Sequence, residues 1–203
     1  MQGYDPYIEN KGNLMTAREI LLYSEDTAAL RRKSEPVRKT NKRVQALVQD
    51  LKDTLMACPD GVGLAAPQIN VHQRVVVVRL GQGDEDDAPP VIPTALINPE
   101  IIEARDERRD FDGCLSFPGL YGATRRPHYL KVKALDETGQ PVERVFEDFD
   151  AILVHHEVDH LDGVLFIDHI EQPEDLYTVR KGADGKPERI PVHDLFMGQG
   201  YRP

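Results

Sequence analysis

At 203 residues, with 40% apolar and 30% charged side chains, the chain has the length of one ordinary domain and enough apolar material for a real core. A formal net charge of −10 argues against DNA, other nucleic acids and anionic membranes as general partners, and no apolar run is long enough to span a bilayer. Two cysteines, Cys58 and Cys114, and a polar start that is neither signal nor transit peptide point to a cytoplasmic protein whose thiols are buried, catalytic or metal-bound.

Residues 1–16 are polar and aperiodic, and are expected to form a flexible extension. Residues 17–23 read as a short strand or turn of helix, and residues 26–37 as a charged connection ending at Pro36. From Asn41 onward Val44, Leu47, Val48, Leu51, Leu55 and Met56 recur at three- and four-residue steps. That period predicts an amphipathic helix capped by Thr40 or Asn41 and stopped at Pro59-Asp60-Gly61.

The segment Gly61-Val-Gly-Leu-Ala-Ala-Pro-Gln68 follows, combining small residues, which let a backbone approach something closely, with one amide. It lacks the third glycine, the following helix and the Lys-Ser/Thr of a phosphate loop. Residues 74–80 predict a buried strand, and the acidic stretch 81–90 a solvated loop without the ligand spacing of a calcium site. Residues 94–102 read as a strand interrupted at Asn98-Pro99, and 103–111 as an exposed strand or turn. Residues 129–135 and 142–147 predict a hairpin turning at Asp136-Glu-Thr-Gly139. The tail, 171–203, carries Pro173, Pro187 and Pro191 and reads as irregular. Its Arg180, Lys181, Lys186 and Arg189 are mixed with acids and make at most a weak basic patch.

Between hairpin and tail lies the stretch that organises the rest, residues 151–166. Ile152, Leu153, Val154, Val158 and Leu161 leave almost no polar face, which predicts a buried helix with Gly163 as its stop. Within it, His156 and His160 are one turn apart and project from one face, where two imidazoles can grip one metal ion. Glu157 sits about 100° around the helix, within reach of a water at the metal but badly placed to be a ligand. The alternative, a pair of core histidines bonded to backbone or carboxylate, leaves three polar side chains in an apolar helix without a task. Cys114, in Asp112-Gly-Cys-Leu-Ser116, is the candidate third ligand.

Together, Gly61-Val-Gly-Leu-Ala-Ala-Pro-Gln68, Asp112-Gly-Cys-Leu-Ser116 and His156-Glu-Val-Asp-His160-Leu-Asp-Gly163 resemble the three motifs of the peptide deformylase family, in order and with similar separations. The resemblance covers residues 17–170, and the Cys-Leu-Ser-Phe-Pro-Gly run is most similar to the type 1 branch. It implies an α+β single domain in which antiparallel sheets surround a central buried helix carrying the His-Glu-x-x-His motif. The implied reaction is hydrolysis of the N-formyl group from the N-terminal formylmethionine of new polypeptides. By the same resemblance Cys114, His156 and His160 bind one divalent metal, Fe²⁺ natively with Ni²⁺, Co²⁺ or Zn²⁺ accepted, and a water takes the fourth place.

Glu157 is the implied general base. Gln68 and the backbone N–H of Leu115 are the implied oxyanion donors. Gly61, Val62 and Gly63 are expected to lie along the substrate peptide, with Val62, Leu115, Ile152, Leu153 and His156 around the methionine side chain. The implied partners are formylmethionyl nascent chains, with transient ribosome contact. The chain departs from the family pattern at Asp112, commonly Glu, and at His155, commonly Gln. Competing readings are a zinc peptidase whose third ligand is a downstream His or Glu, and a deformylase-like binder of nascent chain ends without turnover.

Overall fold

The protein is described from a computed structural model over residues 17–81, 92–182 and 185–193. The expected extension, 1–16, and the acidic loop beyond Gly81 lie outside the described residues. Residues 17–22 form neither strand nor helix, and the charged connection contains one short helix, α1 (Thr27–Leu30), capped by Asp26.

Helix α2 (Lys42–Met56) takes the predicted place. Asn41 accepts hydrogen bonds from the N–H groups of Arg43 and Val44, and Val44, Leu47, Val48, Leu51 and Leu55 are buried. The helix ends with Ala57 as its C-cap, ahead of the expected Pro59 stop.

Among the described residues, seven strands form one connected antiparallel sheet, rather than the separate sheets expected. They are β1 (Gly63–Ala65), β2 (Val75–Val78), β3 (Thr94–Gly113), β4 (Leu120–Leu135), β5 (Pro141–Glu147), β6 (Leu176–Lys181) and β7 (Pro187–Pro191). Their order is β1-β2-β3-β4-β6-β7, with β5 also paired to β4. All four valines of β2 are buried, because α2 covers one face of the sheet and α3 (Asp148–Leu161) the other. Val75 and Val77 pack with Leu51 and Leu55 of α2, while Val76 and Val78 pack with Leu153, Val154 and Val158 of α3.

Strand β3 runs unbroken where an interruption was expected. Register shifts between Ile97 and Glu100 and between Ile101 and Glu103 absorb Pro99, which has no N–H for the ladder. Asn98, at φ 52°, turns its amide onto both N–H and C=O of Val37, each at 2.8 Å. Strand β4 begins nine residues before the expected 129, and its first half pairs with β3 along residues 121–127.

One more expectation fails, and another holds with shifted bounds. The described part of the tail contains a pair of strands rather than irregular chain, because β6 pairs with Leu120–Gly122 of β4 and the prolines of β7 fall at its two ends on the edge of the described sheet. The helix of the histidines starts earlier, at Asp148, and stops at Leu161, with a separate 3-10 turn at Phe166–His169. Gly163 enforces the stop. It adopts φ 74°, and a Cβ there would lie 2.2 Å from the carbonyl oxygen of Arg31. No helix of the described residues is long and apolar enough to cross a membrane.

Candidate metal and catalytic site

His156, Glu157 and His160 are buried on α3, with relative exposures of 6%, 3% and 1%. Cys114 stands opposite them in the turn that follows β3, a turn closed by the bond from Phe117 N–H to the Cys114 carbonyl. Its Sγ is 3.3 Å from Nε2 of His160, and one donor atom each from Cys114, His156 and His160 lies within 4.8 Å of the others. Helical period and strand-end turn thus bring a thiol and two imidazoles to one point.

Behind His156 is a chain of paired charges. Nδ1–H of His156 donates to Oδ1 of Asp112 at 2.7 Å, while Oδ2 of Asp112 accepts from Nε of Arg126 at 2.6 Å and from the Thr124 hydroxyl at 2.9 Å. Arg126, wholly buried, also donates through Nη1 to Oδ2 of Asp159 at 2.8 Å and to Nδ1 of His155 at 2.6 Å. A guanidinium cannot accept, so this contact is a hydrogen bond in the tautomer whose Nδ1 is unprotonated, and the same Nδ1 lies 3.5 Å from Oδ2 of Asp159. His169 completes the chain, 2.9 Å from the same oxygen of Asp159. His155 therefore contacts the network behind the ligands and is not among the donor atoms, as its position on the helix predicts.

Burial acts on these groups with opposite results. It would raise the pKa of Asp112, but the charges and hydrogen bonds of His156 and Arg126 hold that carboxyl well below the usual range. Burial also favours neutral His156, and Asp112 overrides it, lifting His156 well above an ordinary imidazole. Glu157 has no such partner. Desolvation pushes its carboxyl up to about 7, against a weaker pull from His156. His160, desolvated and next to the charge of His156, falls to about 3 and stays neutral, the form a ligand needs.

In front of the ligands lies the loop from Gly61 to Gln68. Gln68 is locked through Oε1, which accepts from the Ala65 N–H at 2.8 Å, leaving Nε2 directed at Ser116 Oγ, 3.2 Å, and Cys114 Sγ, 3.5 Å. The glycines serve the protein's own packing. A Cβ on Gly63 would lie 2.3 Å from Oε1 of Glu157 and 2.8 Å from Leu153, and one on Gly61 would meet Leu55 and Cys58. Of the residues expected around the methionine side chain, Leu115 packs against the α2-side core, Val62 and Leu153 belong to the α3-side core, and Ile152 is buried.

Arg126, Thr124, Asp159 and His169 escaped the sequence reading. Thr124, Arg126 and His128 alternate along β4 on one face and are all buried, so a period-two run of polar residues was the signal available.

The donor set fits a divalent cation. Thiolate and imidazole suit ions of borderline softness, and Oε2 of Glu157 and Nδ1 of His160 are buried without a hydrogen-bond partner. A family model described as polypeptide deformylase matches residues 17–175. Peptide deformylase 1 of Clostridium acetobutylicum is 42% identical over 160 residues, which are 79% of this chain and 99% of that one. The crystal structure of a peptide deformylase from Legionella pneumophila superposes with a TM-score of 0.69 at 33% identity, covering 92% of this chain and 99% of that one. A class I type b peptide deformylase from Acinetobacter baumannii, solved with Met-Ala-Ser bound, gives 0.69 at 33% identity over 77% of this chain and 100% of that one.

Proposed function

The chain belongs to the polypeptide deformylase family, metal-dependent hydrolases that remove the N-formyl group from nascent peptides, and we propose that Cys114, His156 and His160 hold its metal while Glu157 moves the proton. The observation that carries this assignment is Glu157 itself: a carboxylate 3% exposed, with one oxygen unpartnered, beside three converging donor atoms. A divalent ion bound there supplies Lewis-acid polarisation and acidifies water toward neutrality.

The remaining work falls to the chain. Glu157 accepts a proton from the water whose oxygen attacks the formyl carbon, then returns it to the amine nitrogen as the C–N bond breaks, releasing formate and a free N-terminus. A carboxyl poised at about 7 can carry a proton in both directions near neutral pH. The amide of Gln68 and the N–H of Leu115 are assigned to the developing oxyanion, where one donor is typically worth roughly 3 kcal/mol. The lock on Oε1 supports this for Gln68, because it fixes which end of the amide faces Cys114.

Among the described residues β1 pairs with β2 on one side only, so its backbone, with Gly61 and Val62 ahead of it, is the edge assigned to an extended substrate. Val62, Leu115, Ile152, Leu153 and His156 are assigned to the methionine side chain. Fe²⁺ is assigned as the native ion, with Ni²⁺, Co²⁺ or Zn²⁺ as substitutes, because a thiolate and two imidazoles suit all four and cellular supply decides among them. Residues 17–170 form the catalytic unit in this reading, acting in the cytoplasm on chains at the ribosome.

Reconstituted protein incubated with formyl-Met-Ala-Ser should release formate, and Cys114→Ala should lose both bound metal and turnover. Metal retained by Cys114→Ala would place the third ligand elsewhere, as in a zinc peptidase. Metal without turnover in the parent would leave a binder of formylated ends.

A further inference from the structure

The net charge of −10 conceals a segregated surface. Positions 31–43 contain seven of the 25 Lys and Arg residues but one of the 35 Asp and Glu. Arg31 and Lys33 are committed to Asp168 and Asp162. Arg38, Lys39, Lys42 and Arg43 are exposed and enter no ion pair among the described residues. Arg38, Lys39 and Arg43 line an open groove together with Pro36, Val37 and Asn41, and Lys42 adjoins it in sequence.

The backbone beneath these cations is held at three places. The Glu35 N–H bonds to the His72 carbonyl and the Arg74 N–H to the Glu35 carbonyl, each at 3.0 Å. Asn98 grips both polar groups of Val37, and Asn41 caps α2. Four charges are thus presented on a fixed platform instead of a floppy arm. The arrangement also opposes local stability, since Lys42 and Arg43 lie in the first turn of α2, which holds no acid, whereas the helix dipole favours acids there. An anionic partner on the platform removes that conflict.

We infer that Arg38, Lys39, Lys42 and Arg43 form a docking surface for the phosphodiester backbone of base-paired RNA. No exposed large apolar side chain lies between 31 and 44, so the surface serves neither base stacking nor insertion into a bilayer and offers charge alone. The acidic remainder of the molecule repels a polyanion, which restricts approach to this face and orients the bound protein. Nascent chains, the family's substrates, are made beside structured RNA, so such a partner is at hand where the enzyme works. The inference does not depend on the assignment of the catalytic residues.

The test is binding of a labelled RNA hairpin across a salt series, by the metal-loaded parent, by Lys42→Glu/Arg43→Glu and by Arg180→Glu/Lys181→Glu, which makes the same charge change on β6. Four phosphate contacts predict a log–log salt slope of about −3 to −4 for the parent. The α2 variant should bind at least roughly tenfold more weakly with a shallower slope, while melting at the same or a higher temperature. Release of formate from formyl-Met-Ala-Ser should be unchanged in all three proteins. Equal weakening by the β6 variant would overturn the inference in favour of a bulk charge effect. Binding to phosphatidylcholine vesicles containing phosphatidylglycerol as tight as to the hairpin would overturn it in favour of a membrane surface.

Discussion

On the side of α3 that faces β4, the buried charges occur in matched sets: His156 with Asp112, Asp112 with Arg126, Arg126 with Asp159, Asp159 with His169. On the side that faces β1, Glu157 is equally buried and Oε2 has no hydrogen-bond partner among the described residues. The same removal from water therefore drives Asp112 below the carboxylate range and Glu157 up to about 7. Burial sets the size of the stake, and partners set its sign. The matched side holds His156 in one orientation, while the unmatched side keeps a carboxyl ready to exchange a proton.

The hardest break in this contrast is Glu157→Gln, which preserves shape and removes the exchange. Formate release should fall by roughly 10²- to 10⁴-fold with metal content unchanged by elemental analysis. A variant within about tenfold of the parent would mean that another group carries the proton.

Breaking the matched side should cost structure first. Arg126→Met leaves Asp112 and Asp159 buried without their cation, a loss of about 3–5 kcal/mol in urea unfolding. Competition with a chelator should show metal affinity reduced by roughly 10- to 100-fold, since His156 loses its fixed support. Arg126→Lys keeps the charge but cannot bond Asp112, Asp159 and His155 together, and should recover only part of either loss. Parent-like stability in the Met variant would show that the two carboxylates are solvated.

The unmatched side also has a pH signature in metal-free protein. The pKa of Glu157 is raised on folding from an ordinary 4.5 to about 7, so its contribution to stability is complete below pH 4.5 and lost as pH rises toward 7. The total is roughly 3 kcal/mol, at about 1.4 kcal/mol per pH unit. Glu157→Gln cannot ionise, so its stability advantage over the parent should grow between those pH values and then level off. A flat difference across that window would mean that the carboxyl is hydrated.

What could be read in advance follows the same division. His156, Glu157 and His160 were legible because helical period alone fixes their relation, and Cys114 because its motif resembles the family's. The partners behind them were not legible, because Arg126 meets Asp112 across a ladder in which Asp112 pairs with Gly122, and no spacing within one segment encodes that register. Strand β4 hid itself, since Gly122, Arg125, Arg126 and Pro127 interrupt the apolar alternation that marks a strand. The glycines show a limit of a different kind: small residues signal close approach without naming what approaches, and the close neighbour of Gly63 within the protein is Glu157. Prolines misled twice, at Pro99 and in the tail, where bulges and an edge position accommodate them.

The finest probe of the matched side is His155. It and Asp112 are the two positions at which the family resemblance leads one to expect a different residue, and both end on the same guanidinium. Toward the guanidinium Nδ1 of His155 can act only as an acceptor, and Arg126 Nη1 has a second acceptor in Asp159. His155→Gln, whose amide oxygen can take the same bond, should change unfolding free energy by less than about 1 kcal/mol and leave formate release within roughly twofold. His155→Leu offers no acceptor and should cost about 1–2 kcal/mol, because the guanidinium then keeps a buried donor with one partner fewer. Equal behaviour of the two variants would show that Asp159 alone satisfies Nη1, and would shrink the matched side by one residue.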